Sequence, residues 1–257
     1  MRASAALAVE LDRRRPGRTV VRALRSAAPL TLVPRAGAAR PEAGAAAVVH
    51  LVSSAPAPLG GDELELTVRV GPGARLRLHG VAATLALPGH RSVPSHSVVR
   101  IEVAEGARVD YLPEPTVVTA RAWHRAELRV ELAGHAVARC REVLVLGRSG
   151  EPAGRLHSAV HVRRAGVPLL RQSVDLGPDE LADSPAVLAG HRVLATEVIA
   201  WPDVVEPAGG DWWALSPLAA GGALATALAP DAVTAQRLLA NARAAHPAAA
   251  DLAEPAW

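Results

Sequence analysis

The sequence predicts a mainly β protein whose strands stack in layers, with a short pair of helices near the C-terminus. Three observations carry this prediction. Apolar and polar residues alternate with a period of two over residues 5–199, turn signals recur at similar intervals, and the pattern changes after Trp201. In residues 63–70 the leucines and valines point to one side and the charged residues and Thr67 to the other. One face of such a strand is buried and the other faces water.

Three strand-turn-strand units follow one another along the chain. Their turns are residues 71–74, 104–107 and 133–136, at intervals of about 30 residues. Glycine in each turn supplies the positive φ that tight hairpins often require, so we expect each unit to be a hairpin and the units to stack as β layers. The predicted strands are residues 64–70 and 75–78, 98–103 and 108–112, and 126–132 and 137–146.

Segments rich in proline and glycine separate the strands and are predicted to be surface loops, at residues 53–61, 88–94 and 147–154. The chain as a whole, residues 1–257, is predicted to form a single domain that is β-rich over residues 1–200.

The C-terminal part, residues 211–245, is predicted to be helical, with helices over 219–228 and 231–245. Asp231 is the predicted N-cap of the second helix. The predicted apolar face of that helix consists of Val233, Leu238, Leu239 and Ala242. Residues 246–257 are predicted to be a frayed tail.

Composition favours a soluble globular protein, because 50% of the residues are apolar and 21% are charged. The net charge is only +3, and every basic residue is arginine. The single basic run is Arg13 to Arg15, and the aromatic residues are Tyr111 and five tryptophans. Nucleic-acid binders concentrate positive charge on one face and add stacking platforms, so a nucleic-acid partner is not expected. The excess of positive charge points only weakly to an anionic partner.

Cys140 is the one cysteine and lies in a strand-like run, which favours a buried structural thiol over a nucleophile. The N-terminal apolar stretch is short and is interrupted by Glu10 and Asp12, unlike a signal peptide. No window is apolar for long enough to span a bilayer, so we expect no membrane association and a cytoplasmic location.

Four motifs stand in a fixed order along the chain. They read GGDELELTVRVGPGA at residues 60–74, GARVDYLPEP at 106–115, EVLVLGRSGE at 142–151 and GVPLL at 166–170. Each is weak alone, since a Gly-x-Gly-Ala turn between strands is common in β proteins. In this order and roughly this spacing they resemble the urease accessory protein UreD family, also called UreH.

This resemblance implies a layered, β-helical structure and a non-enzymatic role. Members of that family bind the accessory protein UreF, which recruits the nickel-carrying GTPase UreG, and the assembly docks on apo-urease to support nickel insertion. The scaffold is thought to conduct nickel through an internal passage. The resemblance therefore implies UreF-like, UreG-like and apo-urease partners, no tightly bound cofactor, and transient contact with nickel.

Some positions depart from the family pattern. After the first unit the family usually carries a lysine and a tyrosine where this chain has Leu85 and Leu87, although Ala83 and Thr84 are retained. The glutamate that commonly follows the fourth motif is Gln172 here. A diverged paralogue that binds partners without handling nickel is therefore an alternative.

Three residues are candidates for the lining of a nickel passage: Asp62, Thr84 and Glu142. Asp62 follows two glycines, where a carboxylate could cap backbone amides or meet a hydrated cation. Glu142 interrupts an apolar strand, where its burial is costly unless it is paired, so it lines a polar passage or has an arginine partner.

Four residues are candidates for partner binding: Tyr111, Glu114, Trp212 and Trp213. Glu114 lies between two prolines, which hold the backbone extended, so it either presents its carboxylate to a partner or faces water. The Trp212-Trp213 pair is either an exposed anchor or part of the core.

Two further hypotheses concern metal binding and catalysis. His157 and His161 lie four residues apart, but the alternation around them favours a strand, and a tight histidine site for Ni²⁺ would hinder a conduit. As an alternative function, Asp62 and Glu142 could act as the paired carboxylates of a glycosidase on a β scaffold. No Gly-x-Ser-x-Gly, His-Glu-x-x-His or P-loop pattern is present, so no catalytic residue is predicted.

Overall fold

The structure is a computed structural model that describes residues 1–15, 17–35, 46–177 and 187–253. Over these residues the chain is mostly strand and has one α-helix. The elements are β1 (Arg2–Leu11), β2 (Thr19–Arg25), β3 (Leu30–Pro34), β4 (Ala47–Ser53), β5 (Glu63–Val70), β6 (Arg75–Gly80), β7 (Thr84–Ala86), β8 (Ser95–Val103), β9 (Arg108–Leu112), β10 (Thr116–Val118), β11 (Trp123–Leu132), β12 (Val137–Leu146), β13 (Arg155–Arg164), β14 (Val167–Leu176), β15 (Val193–Ala200), β16 (Ala208–Gly210), β17 (Trp213–Pro217), β18 (Ala223–Ala229) and α1 (Ala232–Ala244).

The described strands form two sheets. The seven-stranded sheet has the order β14-β13-β11-β8-β5-β1-β2. The eleven-stranded sheet has the order β16-β17-β18-β15-β12-β9-β6-β4-β3, with β10 and β7 added beside β12. In the centre of the molecule successive strands alternate between the sheets, and each pairs in parallel with its equivalent in the next coil. The structure is thus β-solenoid-like, which confirms the predicted mainly β, layered and β-helical fold.

The predicted hairpins are wrong in one respect. β5 and β6 flank the turn at residues 71–74, but they do not pair with each other, because β5 pairs with β1 and β8 while β6 pairs with β4 and β9. Each unit is therefore an arch that joins the two sheets. Period-two alternation is the same in a hairpin and in an arch, but in the arch the apolar faces of the two strands cover each other.

The arches stack on one another through their turns. Gly73 and Gly106 have φ of 64° and 65°, as the turn prediction requires. The N–H of Gly73 donates to the carbonyl oxygen of Glu105 in the next coil at 3.0 Å, and the N–H of Ala133 donates to Val103 at 2.9 Å. Turns of successive coils thereby continue the hydrogen bonding of the sheets.

The main core lies between the two sheets. It is built from the inward-facing aliphatic residues of every coil, among them Leu66, Val68, Leu76, Leu78 and Ile101, which are almost fully buried. Cys140 belongs to this core, as predicted for a structural thiol. Burial raises the pKa of its thiol, so it is held in the unreactive protonated form.

A second core lies between the eleven-stranded sheet and α1, and here the predicted helical pair is corrected. Residues 223–229 form β18, which pairs with β15 and β17, instead of continuing a helix over residues 219–228. The buried alanines of β18 alternate along the strand and lie in the same core as Leu239 and Ala242 of α1. Alanine has the best helix propensity, but pairing with two neighbouring strands outweighs it.

The remaining helix begins and ends close to prediction. Asp231 caps it by accepting from the N–H of Thr234 at 2.8 Å. Val233, predicted on the apolar face, is instead 78% exposed. The predicted frayed tail is wrong up to residue 253, because Leu252 is buried and its carbonyl oxygen accepts from Arg139. Residues 254–257 of that prediction lie outside the described residues.

Candidate functional site

A cavity of about 160 Å³ lies between the two sheets, on the side of the coils opposite the arches. Its wall is largely apolar and is formed by strands of both sheets. The polar or charged residues that line it are Ser53, Thr84, Ser97, Tyr111, Glu114, Thr116, His124, Glu127, Arg141 and Glu142. The cavity thus brings together four of the seven predicted site residues, from the nickel-passage set and from the partner-binding set.

Glu142 is the central carboxylate of this cavity. It lies on β12, and its Oε1 accepts a hydrogen bond of 2.7 Å from the hydroxyl of Ser158, which is on β13 of the opposite sheet. Burial raises the pKa of Glu142, and the Ser158 hydroxyl offsets part of that rise. Glu142 forms no ion pair with the residues that the structure describes, so the predicted arginine partner is not found among them.

Tyr111, Thr84 and Glu114 surround the same space. Tyr111 lies on β9 with 8% of its surface exposed, and burial raises the pKa of its phenol. Thr84 begins β7, and its N–H donates to the carbonyl oxygen of Pro115 at 2.8 Å. The backbone of Glu114 packs closely against Gly80: a Cβ added to Gly80 would lie 2.4 Å from the backbone nitrogen of Glu114. Since Tyr111 faces the cavity, its predicted role in partner binding is less favoured than a role in the lining.

His124 was not selected from the sequence and closes the cavity on the side of the seven-stranded sheet. Its Nδ1 lies 2.9 Å from the hydroxyl of Ser95. Burial lowers the pKa of His124 to about 4, with a smaller contribution from His96, so the ring is neutral near pH 7. A neutral imidazole is a ligand that suits Ni²⁺.

Asp62 does not line this cavity. Its Oδ2 accepts from the N–H of Leu59 at 2.8 Å, and its Oδ1 lies 2.6 Å from the ammonium group of Met1. This is the turn-capping arrangement that the sequence predicts as the alternative to a cation site. Asp62 and Glu142 therefore do not share one cleft, as the paired carboxylates of a glycosidase would.

The two adjacent tryptophans have different environments. Trp212 is 51% exposed, has a φ of 65°, and packs its ring edge-on against His191 with 4.2 Å between the ring centroids. Trp213 is half-buried on β17 and packs against the second core. Of the pair, only Trp212 has the exposure that a surface anchor requires.

The histidines do not form a metal centre in the described part of the chain. His157 and His161 lie on β13, as the alternation predicts, and contact Asp175 at 2.8 Å and Glu127 at 3.7 Å respectively. The described residues contain no group of three or more His, Cys, Asp or Glu side chains that could hold a metal ion.

A buried ionic cluster was missed by the sequence analysis. Arg139 of β12 and Glu197 of β15 form a bidentate pair at 2.8 and 3.0 Å, and Arg243 of α1 lies 3.5 Å from the same carboxylate. Arg139 also donates to the carbonyl oxygen of Leu252. The sequence contains a pattern that could have predicted this cluster, because Arg139 and Glu197 each interrupt an apolar strand, as Glu142 does. The cluster fastens α1 and the following segment to the sheet.

Comparison with known proteins settles the family. Residues 3–256 match the family model described as "UreD urease accessory protein". The chain belongs to the UreD family. It is 60% identical to the "Urease accessory protein UreD 1" of Saccharopolyspora erythraea over 258 residues, which covers all of both chains. It is 42% identical to the UreD of a Parafrankia species, with 93% of this chain and 86% of the relative covered. With the UreD of Streptomyces coelicolor the identity is 38%, covering 95% and 96%.

The departures from the UreD family pattern lie outside the cavity wall. Leu85 is 40% exposed on β7, and Leu87 forms an isolated bridge with Leu59. Gln172 lies on β14 at the edge of its sheet, opposite Val160. None of these three residues of this UreD-family chain is among the described residues that line the cavity. In the described residues no helix is both long and apolar enough to cross a membrane.

Proposed function

We propose that this chain is a non-catalytic scaffold for urease maturation. It assists nickel insertion into apo-urease in a complex with UreF-like and UreG-like proteins, in the cytoplasm. The observation that carries the proposal is the inter-sheet cavity of a chain that matches the UreD family over residues 3–256, where Glu142, Thr84 and Tyr111 meet. No such convergence of polar groups supports a catalytic centre built on Asp62.

The geometry suits an ion that passes through. Glu142 has hydroxyl and imidazole neighbours, and the described residues contain no group of three or more His, Cys, Asp or Glu side chains that could hold a metal ion, so we expect only brief contact with nickel. Nickel is thus cargo, and the burial that raises the pKa of Glu142 disfavours its charged form and so weakens its hold on a cation.

Complementation of a urease-positive strain that lacks its own UreD tests the proposal. The wild-type chain and the variant Glu102→Gln should restore urease activity and the nickel content of purified urease. Glu102 is the matched control, because it is an exposed carboxylate on the outer face that pairs with Arg69 at 3.0 Å. Glu142→Gln should reduce nickel content and activity about tenfold, while pull-downs still recover the UreF-like partner and urease subunits.

The outcomes separate the alternatives. If the wild-type chain recovers no complex and restores no activity, the scaffold role is wrong. If it recovers the complex without restoring nickel content, it is the paralogue that binds partners only. If Glu142→Gln restores activity fully, the cavity does not conduct nickel, and the scaffold role stands without it.

A further inference from the structure

The tip of the first hairpin carries the only run of three consecutive basic residues in the sequence. β1 and β2 pair as far as Leu11 and Thr19, so residues 12–18 form a turn beyond the last strand pair. β2 is also the terminal strand of the seven-stranded sheet, which places this turn at a corner of the molecule. The turn, called the basic tip below, contains one acidic residue, Asp12, and four arginines, Arg13, Arg14, Arg15 and Arg18.

The guanidinium groups of the basic tip are available to a ligand. Arg13, Arg14 and Arg15 are exposed, and Arg18 is half-buried. In the described structure none of these four side chains forms an ion pair or a hydrogen bond. On the outer face of the same sheet, by contrast, arginines pair with carboxylates of neighbouring strands. Positive charge that is paired on the sheet is therefore unpaired at its corner.

The described residues beside the basic tip do not offset its charge. The arch turn at residues 71–74 packs against the hairpin, since the N–H of Gly71 donates to the carbonyl oxygen of Val9 at 2.8 Å, and this turn contains no charged residue. Glu10 is the one acidic residue of β1, and its carboxylate already lies 3.3 Å from the guanidinium of Arg22.

The residues outside the described structure that are nearest to the basic tip in the sequence add no net charge. Residue 16 is proline, and residues 36–45 contain one arginine and one glutamate. Residues 178–186, which contain three acidic residues, follow β14, and β14 is the terminal strand at the opposite edge of the seven-stranded sheet from β2.

The backbone of the basic tip forms a closed turn. The N–H of Asp12 donates to the carbonyl oxygen of Arg18 at 2.7 Å, and the N–H of Arg18 donates to that of Arg15 at 3.2 Å. Gly17 has a φ of 81°, which the turn requires. The carboxylate of Asp12 accepts from the N–H of Arg14 at 2.9 Å, so the one acidic side chain stabilises the turn. Because the backbone is already ordered, less conformational entropy is lost when a ligand binds.

We infer that the basic tip binds an acidic segment of a partner protein, in which several aspartate or glutamate residues follow one another. A guanidinium group binds a carboxylate through two parallel hydrogen bonds, a geometry that arginine provides and lysine does not. Consecutive arginines present several such groups within one turn, which suits a run of carboxylates better than a single small anion.

A protein segment suits the basic tip better than a nucleic acid or a membrane does. Nucleic-acid sites combine positive charge with aromatic side chains on which bases stack, and neither the tip nor β1 and β2 contain an aromatic residue. Membrane-surface segments combine basic residues with large apolar ones that enter the lipid, and residues 12–18 contain no leucine, isoleucine, valine or aromatic residue. The tip shares no residue with the cavity wall, so the inference holds whether or not nickel passes through the protein.

The test uses the full-length chain and a fluorescein-labelled decaglutamate peptide, followed by fluorescence anisotropy. The triple variant Arg13→Gln/Arg14→Gln/Arg15→Gln should bind about tenfold more weakly than wild type, because it removes three charge-assisted contacts. Binding to wild type should weaken as NaCl is raised. The three side chains are exposed and unpaired in the described structure, so this variant is expected to fold, and its thermal unfolding is measured alongside.

A second triple variant provides the matched control. Arg91→Gln/Arg171→Gln/Arg237→Gln removes the same charge from exposed positions that lie apart, in the loop before β8, on β14 and on α1. This control should bind decaglutamate as wild type does, because it leaves the basic tip intact.

Four results would overturn the inference. In the first, the wild-type chain does not bind decaglutamate better than decaglutamine. In the second, the control variant loses as much affinity as the tip variant, which would mean that only overall charge matters. In the third, a single-stranded oligodeoxythymidylate binds more tightly than decaglutamate and loses its affinity in the tip variant. In the fourth, vesicles that contain phosphatidylserine do so, which would make the tip a membrane contact.

Discussion

At the residue scale, the carboxyl group of Glu142 sets a dependence of stability on pH. Burial raises its pKa in the folded protein, so its stabilising contribution is present below the unfolded pKa of 4.5 and is lost as pH rises through the folded pKa. We expect Glu142→Gln to gain stability relative to wild type between pH 5 and pH 8. Urea unfolding at both pH values measures this, and an equal pH dependence of the two proteins would contradict it.

The ring of His124 gives stability the opposite dependence on pH. Its pKa falls from 6.5 to about 4 on folding, so its contribution is fully present above pH 6.5 and is lost as pH falls to 4. By linkage this difference amounts to about 3 kcal/mol. Relative to His124→Gln, wild type should lose about that much unfolding free energy between pH 7 and pH 4 in denaturant titrations. If wild type and His124→Gln lose the same unfolding free energy over this pH range, the prediction is wrong.

At the element scale, the Arg139–Glu197 pair governs how firmly α1 is held. Glu197→Gln removes the carboxylate that pairs with the buried guanidinium of Arg139 and should cost about 3–5 kcal/mol of unfolding free energy. The double variant Arg139→Met/Glu197→Leu removes both charges and should recover at least half of that loss. Thermal and urea unfolding measure both. A double variant less stable than Glu197→Gln would show that the pair contributes more than its own desolvation cost.

Sequence patterns predict where strands and helix caps lie, but they do not predict which strands pair with one another. The alternation predicts β9 and β12 with the observed bounds, and Asp231 as a cap, because these features depend on neighbouring residues. It cannot show that the arms of an arch belong to different sheets, nor that the alanines of residues 223–229 pair as a strand, because both depend on contacts between distant segments. For the same reason Glu142 is predicted as a polar lining residue, whereas Ser158 and His124 emerge only from the fold.

At the scale of the whole molecule, stacked coils predict a gradient of protection. Strands such as β8 and β11 are hydrogen-bonded on both sides, whereas β2, β14 and β16 are bonded on one side only within the described sheets. Amide hydrogen exchange followed by mass spectrometry should therefore be slowest in peptides from β8, β9, β11 and β12 and faster in those from the edges. Uniform exchange across all these peptides would show that the coils open in a single cooperative step.

Both ends of the parallel stack are closed by strands that run the other way. β2 and β14 are antiparallel to β1 and β13, and β3 and β15 are antiparallel to β4 and β12. In the described sheets, a copy added at any of these four ends would therefore meet an antiparallel strand. We expect this arrangement to hinder end-to-end growth of the stack by added copies, to which parallel β stacks are prone.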